Sequence, residues 1–200
     1  QKQGIKSYLA VNTVLYDYDL KLKRLLIQKA KEAGITALIV SDMAALLYAR
    51  ELGMEVHAST QLNISNTEAL KHYAQFVDVA VLARELNLNQ VADIIRNIEA
   101  KHITGPSGKQ VRIEIFVHGA LCMAVSGKCY LSLHEFNASA NRGACMQTCR
   151  RSYTLTDNET GYEIGVENEY LMSPKDLCTI GFLNKILDAG VKVLKIEGRA

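Results

Sequence analysis

Gly34-Ile35-Thr36-Ala37-Leu38-Ile39-Val40-Ser41-Asp42 is the stretch that decides the fold. Amphipathic segments flank it, at about residues 18–33 and 44–52. Gly34 suits the positive φ with which helices commonly end. Residues 37–41 then read as a strand, apolar at nearly every position, as expected where both faces are covered. The polar pair Ser41-Asp42 closes it, in the manner of turn-forming residues.

Working outward, the same rhythm repeats. Strands are expected at 7–12, 55–59, 78–83, 112–117 and 193–197, and helices at 66–76, 88–100 and 174–189. Gly53 follows the second helix as Gly34 follows the first. Ser173 before Pro174 reads as an N-cap and a first-turn proline, and Gly190 closes that helix. Such alternation argues for a parallel sheet with helical crossovers, either an open doubly wound sheet or a (β/α)8 barrel. No G-x-G-x-x-G follows the first strand, which weakens the dinucleotide reading. Asn12-Thr13, Ser41-Asp42, Thr60-Gln61 with Asn63, Arg84-Glu85, His118 and Glu197 with Arg199 fall at or just past strand ends. In barrel enzymes that rim carries the active site. The expected architecture is therefore α/β, a TIM-type barrel over residues 1–200, incomplete in this piece.

The rhythm breaks at an insertion of about residues 119–170, where no crossover helix is expected. Residues 153–156 and 162–164 flank Asp157-Asn158-Glu159-Thr160-Gly161 and read as a β-hairpin with a longer loop. A short strand is expected at 169–172. Both chain ends read as cut points within a longer protein, with at least one barrel strand lying before Gln1.

A net charge of +2 does not force nucleic-acid binding, although a local basic patch stays possible. No apolar run reaches the length of a membrane span, and no apolar signal segment opens the chain, so a cytoplasmic location is expected. There, five cysteines argue for ligands or free thiols rather than a disulfide framework.

Those cysteines are Cys122, Cys129, Cys145, Cys149 and Cys178. Cys178 alone suits a small buried hydrophobe. The other four sit in a polar, glycine-bearing stretch that this reading explains poorly. Their C-x6-C and C-x3-C spacings lack the usual zinc knuckle, and spacing leaves structural zinc and an iron–sulfur cluster both open. His118, four residues before Cys122, also allows a thiolate–imidazole pair. No H-E-x-x-H and no G-x-S-x-G appears, which speaks against a hydrolytic zinc site or a serine nucleophile.

Glu114-Ile115-Phe116-Val117-His118-Gly119-Ala120-Leu121-Cys122, continuing to Gly127-Lys128-Cys129-Tyr130-Leu131-Ser132, closely resembles the signature of the collagenase-like peptidase family U32. The pattern is E-x-F-x2-G-A-L-C-x4-G-x-C-x-L-S, and every fixed position is met. Asn141-Arg142-Gly143 with Cys145 and Cys149-Arg150, Ser173-Pro174-Lys175-Asp176-Leu177, Lys195-Ile196-Glu197-Gly198-Arg199 and, more weakly, Ser59-Thr60-Gln61 with Asn63 resemble further family blocks. The family name implies a peptidase. Its better-understood branches imply oxygen-independent hydroxylation of tRNA wobble uridine, ribosomal RNA or ubiquinone precursors, with prephenate as oxygen donor. The resemblance implies a 4Fe–4S cluster on Cys122, Cys129, Cys145 and Cys178, with Cys149 as rival fourth ligand. The expectation is an iron–sulfur tRNA hydroxylase. His118, Lys175 and Glu197 are its candidate catalytic groups, and Gln61, Arg142 and Arg199 bind substrate, the two arginines suiting a carboxylate such as prephenate. The partners expected are tRNA and a second family member in a heterodimer. A collagenase-like peptidase and a component of a heterodimeric ubiquinone-precursor hydroxylase are the alternatives.

Overall fold

The computed structural model describes residues 4–168 and 170–198. The first half alternates as expected: β1 (Tyr8–Val11), α1 (Leu20–Glu32), β2 (Ala37–Val40), α2 (Met43–Glu51), β3 (Glu55–Ala58), α3 (Thr67–Ala74), β4 (Val79–Val81), α4 (Leu88–Ala100) and β5 (Arg112–Gly119). Side chains fix the helix starts. Asp42 accepts the Ala44 N–H, Asn66 the Ala69 N–H, and Asn87 exchanges hydrogen bonds with Gln90 in a capping box. Gly34 and Gly53 follow α1 and α2 at positive φ.

Strands β1 to β5 pair in parallel, each with the next. The insertion carries a short helix, α5 (Leu131–Phe136), which the sequence reading missed, and the expected hairpin, β6 (Tyr153–Thr156) with β7 (Glu163–Val166). β9 (Val193–Glu197) then returns parallel to β5 on its free edge.

The segment expected as one helix over 174–189 is different. Leu177–Cys178 forms a two-residue strand, β8, antiparallel to the end of β5. A 3-10 turn (Ile180–Phe182) and α6 (Leu183–Asp188) follow. Tertiary pairing overrides the local helix signal here: the buried Thr179 donates both its N–H (3.1 Å) and its hydroxyl (2.9 Å) to the Val117 carbonyl. The strand expected at 169–172 is absent at 170–172, which are turn and bend, and residue 169 lies outside the described residues.

The seven-stranded sheet does not close into a barrel among the described residues; β1 and β9 are its parallel edges. It nevertheless curls, for Ala10 of β1 and Lys195 of β9 line one cavity. Its outer face is the apolar core: Val11, Leu38, Val40, Val56, Ala58, Ala80, Ile113 and Val117 join Ile27, Leu46, Leu70 and Ile94 of the helices. The inner face of β3, β5 and β9 alternates instead of staying apolar. Glu55, His57, Arg112, Glu114 and Lys195 face one another across it. No described helix is long and apolar enough to cross a membrane.

Candidate functional site

A cavity of about 390 Å³ opens at the C-terminal ends of the strands, between the sheet and the insertion. Cys122, Cys129, Cys145 and Cys149 all line it. Asn12, Ser59, Thr60, Gln61, Arg84, Phe116, Lys195 and Glu197 line it from the sheet side. Thiols 27 positions apart in sequence are thus gathered at one place, because the insertion folds back over the strand ends.

Named side chains fasten the insertion there. Asn63, left-handed at φ 52°, donates its amide to the carbonyls of Gln61 (2.9 Å) and Ser126 (3.1 Å). Arg84 donates to the Ala124 carbonyl (3.3 Å). Asn141 accepts the Cys129 N–H on its side chain (3.1 Å) and the Val14 N–H on its carbonyl (3.0 Å). Arg142 forks onto Asp19 at 2.8 and 3.2 Å and lies over the Tyr16 ring. That fork holds the Asp19 carboxyl below the usual carboxylate range. Arg150 bonds Asp176 (2.6 Å) and the Leu121 carbonyl (3.4 Å). Ser132, buried on α5, accepts the Met146 N–H at 3.0 Å. Gly119 is obligatory on steric grounds: at φ +116°, a Cβ there would lie 1.9 Å from the Glu197 carbonyl oxygen.

Burial pushes the Cys149 thiol up, and the neighbouring Cys122, Cys145 and Cys129 push it further, against the opposing pull of Arg150. Gln61 Oε1, Arg84 Nε, Ser126 Oγ and Thr148 Oγ1 are buried without a hydrogen-bond partner, and all four residues line the cavity. Buried polar atoms are normally paired, so these four orphans mark places where buried water completes the bonding. Among the described residues, no three His, Cys, Asp or Glu side chains are disposed to hold a single metal ion.

Of the residues expected to act, Gln61 and Glu197 line the cavity together with four of the five cysteines. Cys178 does not; it is exposed on β8, opposite His118. The reason is a register shift between Phe116 and His118 on β5. It pairs Phe116 with Lys195 on the inner face but His118 with the exposed Ile196. The bulge turns His118, and Cys178 with it, away from the cavity. Lys175 is exposed in the loop before β8. Arg142 has the bidentate carboxylate expected of it, but the carboxylate is the chain's own Asp19. Arg199 lies outside the described residues. The sequence reading passed over Ser126, Thr148 and the inner-face Glu114–Lys195 pair, and placed Arg84 at the rim with no role. Polar residues at alternate positions of Glu55-Val56-His57 and Arg112-Ile113-Glu114 were the signal for that inner face.

The sequence model of peptidase family U32 matches residues 1–200. A collagenase of Porphyromonas gingivalis is 64% identical over 198 residues, covering 99% of this chain and 48% of the relative. A 23S rRNA 5-hydroxycytidine synthase of Escherichia coli is 41% identical over 203 residues, covering 99% and 28%. A tRNA hydroxylation protein of Bacillus subtilis is 31% identical over 206 residues, covering 100% and 46%. The chain thus spans about half the length, or less, of these curated relatives. No solved structure matches it.

Proposed function

The chain belongs to peptidase family U32, and from that premise we propose that it forms the cofactor-bearing part of an iron–sulfur enzyme that hydroxylates RNA bases, nearest in kind to the tRNA uridine hydroxylases. The observation that carries this reading is the meeting of four thiols around one cavity at the strand ends. Four thiolates are the soft donor set that suits a 4Fe–4S cluster. Cys122, Cys129, Cys145 and Cys149 would hold it, with Cys178 as the rival fourth ligand. The bound cluster would supply one-electron chemistry.

The chain's own residues do the rest. Arg150 offsets negative charge at Cys149. Gln61, Ser126 and Thr148 add polar residues to the cavity wall. Arg84 puts positive charge on the cavity wall, suited to a carboxylate donor such as prephenate. On this reading Arg84 takes the part expected of Arg142, and His118 and Lys175 stay outside the chemistry. The remaining length of the relatives, or a second family member, would supply the strands that close the sheet between β9 and β1.

A collagenase-type peptidase is the second reading, favoured by the 64% and 58% identities to relatives named collagenase. Hydrolysis asks for a nucleophile with a base beside it. No histidine lines the cavity among the described residues.

The test is anaerobic purification of the full-length protein, with iron and sulfide quantified, beside nucleoside analysis of tRNA and rRNA from a deletion strain. About four irons per chain are expected, with a hydroxylated nucleoside lost on deletion and restored by wild type but not by Cys129→Ala. Unchanged nucleosides, together with gelatin cleavage retained in Cys122→Ala, would overturn the reading in favour of the peptidase.

A further inference from the structure

Three arginines of the insertion lie over exposed aromatic rings. Arg142 sits 4.2 Å from the Tyr16 ring centroid and 5.7 Å from that of Tyr18. Arg151 lies 4.8 Å from the Phe136 ring, and Arg150 lies 6.0 Å from the Tyr170 ring. Arg150 itself lines the cavity, Phe136 ends α5, whose Leu131 and Ser132 line it, and Arg142 lines a second, smaller cavity of about 140 Å³ with Val14, Leu15 and Asp19.

None of these rings serves the core. Tyr18 is 74% exposed, Tyr16 49% and Phe136 44%. The guanidinium edges of Arg142 and Arg150 are already taken by the carboxylates of Asp19 and Asp176. What is left to a partner is the outer surface of the rings themselves, steadied by the guanidinium groups packed against them, and not an uncompensated charge. Exposed rings of this kind suit flat π-systems and contribute little to phosphate binding.

Resting on the RNA reading above, we propose that these exposed rings are a stacking platform for unpaired bases of a single-stranded RNA loop, bound by base faces more than by phosphates. Two consequences separate it from a generic basic surface. Loop RNA binds and duplex does not, because a duplex hides its base faces. The salt dependence is shallow, because few counterions are released.

The experiment is fluorescence anisotropy on the full-length protein, using a fluorescein-labelled RNA stem–loop and a fully paired duplex of the same length across a salt series. Tyr18→Ala and Phe136→Ala are each expected to weaken stem–loop binding about tenfold, or ~1.4 kcal/mol, whereas Tyr18→Phe binds as wild type. Both side chains are exposed, so an unchanged melting temperature certifies the fold of each variant. Wild-type affinity in both alanine variants, equal affinity for duplex, or a steep salt slope would overturn the platform. So would a proline-rich peptide that competes with the stem–loop for the same rings. Iron content and nucleoside analysis read the enzyme proposal separately: a cluster-bearing hydroxylase whose alanine variants bind RNA normally loses the platform alone, and a cluster-free protein that still stacks loop RNA loses the hydroxylase alone.

Discussion

The ammonium of Lys195 stands 3.2 Å from the carboxylate of Glu114, which is only 5% exposed on the inner face of the sheet. His57, equally buried, turns Nδ1 to the other Glu114 oxygen at 3.5 Å and Nε2 to Glu55 at 3.3 Å. A charged pair thus forms the floor beneath the cavity and aims Lys195 into it. Burial pushes the Glu114 carboxyl up, but the His57 hydrogen bond and the Lys195 charge outweigh it, and the group ends below its ordinary value of 4.5.

The sign of the pH dependence follows. A carboxyl depressed in the folded state contributes stability above its unfolded value and loses it as pH falls through the folded value. Wild-type stability in urea titrations is expected to decline below about pH 4.5, and Glu114→Gln to flatten that decline. Lys195→Met, which leaves the buried carboxylate with His57 alone, should cost about 3 kcal/mol near neutrality. A Glu114→Gln profile as steep as wild type would show that other carboxylates drive the acid loss.

The cavity also discriminates between Cys149 and Cys178. If the proposed ligand set holds, Cys149→Ser removes one of four ligands and should lower iron and sulfide in anaerobically purified protein by roughly half or more. Cys178→Ser should leave both near wild type. The reverse pattern would move the fourth ligand onto β8.

Gly119→Ala forces a Cβ against the Glu197 carbonyl, at a φ that L-residues avoid. The clash is with backbone, so no side chain can swing aside. The expected cost exceeds about 3 kcal/mol, read as a lower denaturation midpoint, with loss of the β5–β9 pairing visible as faster amide exchange at Lys195 to Glu197. Gly108→Ala, where a Cβ meets open space at a similarly left-handed φ, is the control for backbone strain alone.

Arg142 and Asp19 act as one clasp across 123 positions of sequence. Arg142→Gln and Asp19→Asn should each speed limited proteolysis of the 139–150 segment several-fold. The double variant should be no worse than either, as for two halves of a single interaction. Arg142→Lys should not rescue, because an ammonium cannot form the fork or lie flat on Tyr16. Additive effects would mean that the two residues hold different things.

Much of the fold was legible before any coordinates. The apolar run of 37–41 and the glycines after α1 and α2 are local signals. They act within a turn or a strand, so they survive in one dimension. The four insertion cysteines were likewise conspicuous as a group, and the alternation of Arg112-Ile113-Glu114-Ile115-Phe116 was open to anyone counting by twos.

Local rules failed where a distant partner decided the outcome. Ser173-Pro174 carries a sound helix start, yet residues 177–178 pair with β5 because its end presents an unfilled ladder that Thr179 completes. His118 keeps the period of the inner face in sequence, but a bulge set by the pairing with β9 rotates it out. Periodicity, caps and turn residues are written in neighbouring positions, and these the chain determined by itself: parallel strands, helical crossovers and a polar rim. Which thiols share a cavity, which arginine is already claimed by an aspartate and which cation remains on the wall depend on contacts between residues tens to more than a hundred positions apart. Only the folded backbone brings those within a few ångströms, where charge and hydrogen bonding can act.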